Sequence, residues 1–165
     1  VVRYGNVINS RGSIIPLFLK LIKNGSKFLP ITDKRMTRFW ITLDQGVEFV
    51  LSNLEIMQGG EIYIPKIPSM KIVDVAEAMA PNIQQRVIGI RPGEKIHEVM
   101  ITEDDSRYTF ELKDRFIISP NKDFKLDNKI KKLVLNFNLR EDFKYSSDTN
   151  SQWLNKADFL KLIDN

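Results

Sequence analysis

The sequence of 165 residues contains no cysteine and only one histidine, His97. Without cysteine neither a disulfide framework nor a thiolate metal site can form, and this absence fits the reducing cytoplasm, where we expect the chain to reside. A single histidine excludes the paired imidazoles of a His/Glu zinc helix, so we expect no metal site. Apolar runs are short as well, because residues 14–22 contain Pro16 and Lys20, and no stretch approaches the roughly 18 apolar residues of a membrane span.

The sequence also lacks a large excess of charge of one sign. The 25 basic and 21 acidic residues leave a net charge of +4, which is too small to indicate nucleic-acid binding. The lysine-rich run 122–132 is interrupted by Asp123 and Asp127, as in a solvated face. Glycine-rich phosphate loops of either common spacing are absent. We therefore expect a globular protein that binds no nucleic acid and whose basic residues can serve a local anionic pocket.

Short strands alternate with helices along the chain, which predicts an α/β fold. The predicted strands are residues 1–4, 28–31, 38–41, 61–64, 70–72, 85–90 and 115–119. The predicted helices are residues 14–23 after the cap Ser13, a helix after the cap Thr42, residues 73–80, and a last helix from Asn155. The second of these carries an apolar stripe of Leu43, Val47, Val50, Leu51 and Leu54. Residues 97–101 fit either a helix or a strand, and residues 121–144 are polar and irregular.

The first residues form a β-branched, strand-like run that no methionine, cap or turn precedes. A strand at this position is typical of the interior of a parallel sheet, and we therefore expect the chain to be part of something longer. Without neighbouring strands, its apolar edge would promote association. We expect the chain to be a homo-oligomer or to be poorly soluble.

Four arginines lie at strand ends or in loops, namely Arg3, Arg11, Arg38 and Arg91. The planar guanidinium suits phosphate oxygens, and loops at strand ends are where α/β folds bind ligands. Any one of these arginines taken alone is better explained as a solvated surface residue. Their context in the sequence changes that weighting.

Several runs of residues follow one another in a characteristic order. They are Arg3-Tyr4-Gly5-Asn6-Val7, Ser10-Arg11-Gly12-Ser13, Pro30-Ile31-Thr32-Asp33, Met36-Thr37-Arg38-Phe39-Trp40-Ile41, Pro65-Lys66-Ile67-Pro68, Ile88-Gly89-Ile90-Arg91-Pro92-Gly93-Glu94-Lys95 and Tyr145-Ser146-Ser147-Asp148-Thr149-Asn150. In this order they resemble the UDP-N-acetylglucosamine 4,6-dehydratase group of polysaccharide-biosynthesis proteins, within the extended short-chain dehydrogenases/reductases. The resemblance is closest to the inverting branch, which opens the pseudaminic acid pathway, and it thins between residues 121 and 143.

The resemblance implies a fold made of the carboxy-terminal part of a Rossmann-type parallel sheet plus a small α/β substrate-binding lobe. Residues 1–60 would be the end of the Rossmann-type domain, interleaved with the substrate lobe, and residues 61–165 mainly the lobe. The family's glycine loop, Tyr/Lys pair and Asp-Lys pair have no counterpart in this sequence, so we expect no catalytic residue on it. Lys34 stands where the family commonly has proline, which loosens one turn.

The resemblance also implies roles for single residues. At a UDP-sugar such as UDP-N-acetylglucosamine we expect Asn6 at the sugar-diphosphate, Thr32 by the uridine, Arg38 and Arg91 facing the diphosphate, and Glu94 near the ribose. Val7 would lie by the nicotinamide of an NADP cofactor held mainly elsewhere. We expect Arg38 and Arg91 to converge on one anionic hollow at the carboxyl ends of the strands. Glu94 is explained about equally well as a helix N-terminal carboxylate, and Thr32 as a turn residue.

The reaction that the resemblance implies belongs to the parent enzyme, an NADP-dependent hydro-lyase. Hydride leaves the sugar C4, water is eliminated across C5 and C6, hydride returns to C6, and C5 is reprotonated on the opposite face. Two alternatives stay open. The parent could be a 4-epimerase or a retaining dehydratase of the same group, or the chain could be a non-catalytic module that binds a UDP-sugar.

Overall fold

The computed structural model describes residues 1–137, 139 and 142–163. Helices in this part of the chain are α1 Ile14–Lys23, α2 Leu43–Leu54, α3 Ile72–Met79, α4 Glu103–Ser106, α5 Asn128–Lys131 and α6 Lys156–Ile163. Its strands are β1 Asn6–Val7, β2 Phe28–Ile31, β3 Thr37–Ile41, β4 Ile62–Pro65, β5 Ser69–Lys71, β6 Gln84–Val87, β7 Val99–Ile101, β8 Thr109–Glu111, β9 Arg115–Ile118, β10 Asn136–Phe137 and β11 Tyr145–Ser146. The predicted α/β class is confirmed. No helix of the described residues is long and apolar enough to cross a membrane.

The chain forms two compact units, each assembled from three segments. The antiparallel unit consists of residues 1–4, 44–66 and 99–146, and the parallel unit consists of residues 5–43, 67–98 and 147–165. We name the units after the strand pairs that dominate each of them.

The parallel unit contains two small sheets. In one sheet, β3 pairs in parallel with β1 and antiparallel with β5. In the other, β2 and β6 are parallel, in a register that runs from Phe28 opposite Gln84 to Ile31 opposite Val87. Because the two strands point the same way, both carboxyl ends meet at one edge, where the following loops diverge.

The core of the parallel unit lies between helices α1, α3 and α6 and strands β2 and β3. Fully buried apolar side chains on these elements include Phe18, Leu29, Trp40, Val75 and Phe159. The Phe159 ring meets the Trp40 ring edge to face, with centroids 5.6 Å apart. Helix α6 begins as its sequence predicts, because the Asp158 amide donates to Asn155 Oδ1 over 2.8 Å.

The antiparallel unit is built on a four-stranded sheet in the order β10-β8-β9-β4. Its core includes Phe49, Tyr63, Phe110, Leu112 and Ile117. Strand β7 pairs with β11 in a separate two-stranded sheet, which shows that residues 99–101 of the ambiguous segment form a strand. Residues 121–144 were predicted to be irregular, and this prediction is wrong for helix α5, which lies inside that segment.

The predicted strand at residues 1–4 is wrong in its position. In the structure these residues make only a parallel bridge from Val2 to Tyr63, and the strand proper is Asn6–Val7, paired with Trp40 and Ile41. Gly5 marks the change of partner. A Cβ atom added there would lie 2.5 Å from Cβ of Phe39, so only glycine allows this close approach.

The predicted apolar stripe on α2 lies mostly on the exposed face of the helix. Leu43, Val47, Leu51 and Leu54 are 49–65% exposed, and the buried face carries Gly46, Phe49 and Asn53. The helical period is right, but periodicity alone does not say which face is covered. Ser13 does occupy the N-cap position of α1, yet its side chain makes no capping hydrogen bond.

Candidate functional site

A hollow of about 180 Å³ opens in the parallel unit where β2 and β6 end and α1 begins. This is the kind of place where open α/β sheets bind ligands, because loops leaving the carboxyl ends of adjacent parallel strands separate there. The lining contains both polar and apolar residues. Its apolar residues, which we call the apolar wall, are Ile14, Leu17, Pro30, Met36 and Ile88.

Three residues singled out from the sequence line the hollow together, namely Thr32, Arg91 and Glu94. Thr32 follows β2, and its Oγ1 lies 3.5 Å from Glu94 Oε1. The Arg91 amide donates to Glu94 Oε2 over 3.2 Å, and the Glu94 amide donates to the Arg91 carbonyl over 3.0 Å. This tight turn brings Arg91 and Glu94 together in the lining of the hollow.

The start of helix α1 forms another part of the hollow, through Gly12 and Ser13. The Ser13 Oγ atom is buried and has no hydrogen-bond partner among the residues that the structure describes. The free N–H groups of a helix N-terminus carry partial positive charge and favour an anion. The hollow therefore combines this positive end with the Arg91 side chain, and of the described residues that line it Glu94 alone is acidic.

Asp33 stands next to Thr32, but its charge is neutralised locally. Arg35 donates from Nε to Oδ1 over 3.0 Å and from Nη2 to Oδ2 over 2.8 Å, and its amide also donates to Oδ1. These hydrogen bonds from Arg35 lower the pKa of Asp33 to about 2. The carboxylate is held in the turn by Arg35, and it adds little repulsion to an anion in the hollow.

Arg38 does not line the hollow, although the sequence suggests that it should share the site with Arg91. Its Nη1 donates to the carbonyls of Thr37 and Ile96, and its Nη2 donates to the Lys95 carbonyl over 2.7 Å. Its Nε lies 3.5 Å from Glu98 Oε1. Burial lowers the pKa of Arg38 below its ordinary value, and the charges of Glu98 and Glu94 oppose that shift. A contact between Arg38 and a diphosphate stays a prediction.

Asn6 and Val7 also lie outside the lining of the hollow. Both are partly buried in β1, beside Trp40 and Ile41 of β3. Their predicted contacts, with the sugar-diphosphate and the nicotinamide, stay predictions. Among the described residues no group of three His, Cys, Asp or Glu side chains could hold a metal ion.

A larger and shallower depression of about 500 Å³ lies on the exposed face of α2. It is lined by Val47 and Leu51 and also by the carboxylates of Asp44, Glu48 and Glu55. Three acidic side chains would repel a diphosphate, so charge favours the smaller hollow as the site for an anionic ligand.

The sequence did not identify the apolar wall of the hollow. Met36 and Ile88 come from different loops, and Ile14 and Leu17 lie one turn apart on α1. In the sequence all four are typical core residues. Only the parallel register of β2 and β6 brings them around one space, and strand pairing between residues 28–31 and 84–87 has no local signal.

Comparison with known proteins adds independent evidence. A family model described as "Polysaccharide biosynthesis protein" matches residues 1–120. A UDP-N-acetylglucosamine 4,6-dehydratase (inverting) of Campylobacter jejuni is 53% identical over 169 residues, which cover 99% of this chain and 50% of that enzyme. A UDP-glucose 4-epimerase of Rickettsia conorii is 39% identical over 122 residues, which cover 72% of this chain and 36% of the epimerase.

A solved structure supports the same relationship. The X-ray structure of Pen from Bacillus thuringiensis matches with a TM-score of 0.78 and 36% identity, over 99% of this chain and 48% of that one. The chain thus spans about half the length of both the dehydratase and Pen. Because the family model covers most of the chain and the dehydratase is 53% identical over nearly all of it, the chain belongs to the polysaccharide biosynthesis protein family.

Proposed function

We propose that this chain is the substrate-binding part of a nucleotide-sugar 4,6-dehydratase, and that the hollow holds the uridine-diphosphate end of a UDP-sugar such as UDP-N-acetylglucosamine. The observation that carries the proposal is the meeting of Thr32, Arg91 and Glu94 with an apolar wall at the start of α1. The similarity to an inverting dehydratase, at 53% identity, supports the choice of reaction.

Each part of the hollow suits one part of the ligand. The apolar wall would accept one face of the uracil ring, and Glu94 would accept hydrogen bonds from the ribose hydroxyls. Arg91 and the N-terminus of α1 would face the diphosphate, with Arg38 and Asn6 as the further contacts that the family resemblance implies. Binding energy gained at this distance from C4 would orient the sugar for reaction.

The family resemblance implies NADP, which supplies hydride transfer when it is bound. Val7 is a partly buried apolar residue at the end of β1, so it fits the contact with a nicotinamide ring that we propose for it. The residues described here offer no glycine-rich cradle for the cofactor phosphates, in keeping with binding mainly by another part of a longer protein. The role of this chain in the reaction would be to bind and orient the substrate in the cytoplasm, for surface polysaccharide or flagellin glycosylation.

A second candidate is a UDP-sugar 4-epimerase of the same group. The epimerase of Rickettsia conorii is 39% identical over 72% of this chain, which supports binding of the same uridine-diphosphate end of the substrate. Both reactions would use the hollow in the same way. NMR analysis of the product formed by a full-length protein that contains this sequence would separate an epimerised sugar from a 4-keto-6-deoxy sugar.

The first test measures UDP binding to the chain by titration calorimetry. We expect Arg91→Ala to weaken UDP binding by about 2 kcal/mol, roughly thirtyfold, because one charge-assisted hydrogen-bond donor to the diphosphate is lost. Uridine, which has no phosphate, should bind the variant and the original chain equally well.

The matched control is Arg86→Ala. Arg86 is an exposed arginine of β6 that stacks over the Phe28 ring and does not line the hollow. Arg86→Ala removes the same net charge as Arg91→Ala. Its UDP affinity should stay within about twofold of the original, as for a surface substitution away from the ligand. An equal loss of UDP affinity in both variants would show that Arg91 acts only through its long-range charge. An unchanged affinity in Arg91→Ala would exclude Arg91 from the site.

A further inference from the structure

The loop that carries Arg91 and Glu94 into the hollow is followed by residues 95–98, which are held in place by hydrogen bonds. The Lys95 and Ile96 carbonyls accept hydrogen bonds from Arg38, and the Ile96 carbonyl also accepts from the Thr37 amide over 3.0 Å. His97 and Glu98 come next in the chain. Residues 95–98 therefore have no freedom to move away from β3 without breaking several hydrogen bonds.

His97 and Glu98 are held by two hydroxyl groups. His97 Nδ1 lies 2.8 Å from Thr37 Oγ1, and the Glu98 amide donates to Ser147 Oγ over 2.9 Å. The Ser147 amide in turn donates to the Glu98 carbonyl over 2.8 Å. The two hydroxyl oxygens lie 2.6 Å apart, although 110 residues separate them in the chain.

The two hydroxyl residues are almost completely buried, with Thr37 2% and Ser147 0% exposed. Burying a hydroxyl group destabilises the fold unless its hydrogen bonds are satisfied. Here each hydroxyl forms hydrogen bonds that link segments far apart in the chain. Valine in place of Thr37 and alanine in place of Ser147 would fill similar space without polar atoms. This pair therefore indicates a requirement beyond core packing.

The hydroxyl groups and the imidazole form one hydrogen-bonded chain. Ser147 Oγ lies 3.2 Å from the Thr37 carbonyl oxygen and 2.6 Å from Thr37 Oγ1. Thr37 Oγ1 in turn lies 2.8 Å from His97 Nδ1, and His97 Nε2 lies 3.9 Å from Asp148 Oδ2. Removal of either hydroxyl therefore breaks the chain that links β3 to His97 and Glu98.

We propose that Thr37 and Ser147 are positioning residues that hold residues 95–98 and thereby place Arg91 and Glu94 in the hollow. We name this pair the hydroxyl tether. The inference rests on the proposed function of the hollow, and it assigns a role to the Tyr145–Asn150 run, which the account of the ligand leaves without one. The tether contacts no ligand atom itself and acts through the loop that does.

The tether can be measured without any ligand. In Thr37→Val and Ser147→Ala, we expect amide hydrogen exchange to accelerate at least tenfold over residues 91–98, because breaking the tether frees this loop. Thr37→Ser keeps the hydroxyl and should restore slow exchange. The nitrogen NMR shift of His97 Nδ1, in the only imidazole of the chain, should change in Thr37→Val, because Nδ1 loses its hydrogen-bond partner.

Ser106→Ala is the matched control for general loss of stability. Ser106 is also 0% exposed, and its hydroxyl donates to the Glu103 carbonyl within the antiparallel unit. This variant should lose stability without selective exchange over residues 91–98. Exchange that stays unchanged over these residues in Thr37→Val and Ser147→Ala, or that rises equally in Ser106→Ala, would overturn the tether.

Ligand affinity then tests whether the tether positions Arg91. We expect Ser147→Ala to weaken UDP binding about tenfold and to have almost no effect when Arg91 is already alanine, because the two changes remove one interaction. Faster local exchange with unchanged UDP affinity, or fully additive losses, would overturn the positioning role. Failure of the original chain to bind UDP would instead overturn the proposed function of the hollow. The tether would still be tested by hydrogen exchange, which needs no ligand.

Discussion

Glu61 is a buried carboxylate that the fold stabilises in its charged form. It accepts hydrogen bonds from the amides of Gln58 and Gly59, over 2.6 Å and 2.7 Å, and from the Tyr63 hydroxyl over 3.3 Å. Burial alone would raise the pKa of Glu61, but these hydrogen bonds outweigh burial and leave the pKa below its ordinary value of 4.5. The same burial and the Glu61 charge raise the pKa of Tyr63.

The depressed pKa of Glu61 predicts how stability depends on pH. A carboxyl group whose pKa is lower in the folded state stabilises the fold fully above its unfolded pKa, and that contribution is lost as pH falls through the folded pKa. We therefore expect the urea concentration at the unfolding midpoint to decrease as the pH is lowered below about 4.5. Glu61→Gln should be less stable than the original chain at pH 7, and the difference should shrink toward pH 3. An equal difference at both pH values would contradict this account.

At the scale of single residues, the sequence predicted the site in part. Thr32, Arg91 and Glu94 lie together because each belongs to a run with a family resemblance and each follows a strand or a turn. The burial of the Arg38 guanidinium against the carbonyls of Lys95 and Ile96 was not predicted. An arginine beside a strand looks the same in a sequence whether it faces a ligand or a carbonyl, since both accept its N–H groups.

At the scale of elements, helix α6 illustrates how a short helix is held by one side chain. Phe159 is fully buried against Trp40, whereas its neighbour Leu160 is 38% exposed. We expect Phe159→Ala to lower the free energy of unfolding by about 3–5 kcal/mol, through lost burial and the cavity it leaves. Leu160→Ala should cost only about 0.5 kcal/mol. Comparable losses in chemical denaturation would show that α6 does not dock through Phe159.

The elements were predicted best where a helix or strand has its own local signal. Helix α6 and its Asn155 cap, helix α1, and strand β9 agree closely with the sequence. The short strand β1 and the exposed face of α2 were missed for a different reason. Which strand pairs with which, and which helical face is covered, depends on residues far away in the chain rather than on local pattern.

At the scale of the whole molecule, the exposed face of α2 bears on association. Val47 and Leu51 are 49% and 57% exposed and lie one turn apart on the helix. Apolar side chains grouped in this way favour contact with another surface, and we expect the chain to self-associate through a second copy. Light scattering should show a mass that rises with concentration, and Val47→Lys with Leu51→Lys should lower it.

Leu19→Lys provides the comparison for this prediction. Leu19 is an exposed leucine of α1, 47% exposed, and it lies in the other unit of the chain. Its replacement adds one positive charge and removes one exposed apolar side chain, as each of the two α2 replacements does. A monomer at all concentrations would contradict self-association, and an equal effect of Leu19→Lys would show that α2 is not the surface involved.

The whole account depends on the hollow being a site for a nucleoside diphosphate. The most direct measurement is a titration of the isotope-labelled chain with UDP, followed by the amide resonances in NMR. We predict saturable shifts concentrated at Gly12, Thr32, Ile88, Arg91 and Glu94, all of which line the hollow. The absence of saturable shifts, or shifts concentrated on the acidic face of α2, would contradict it.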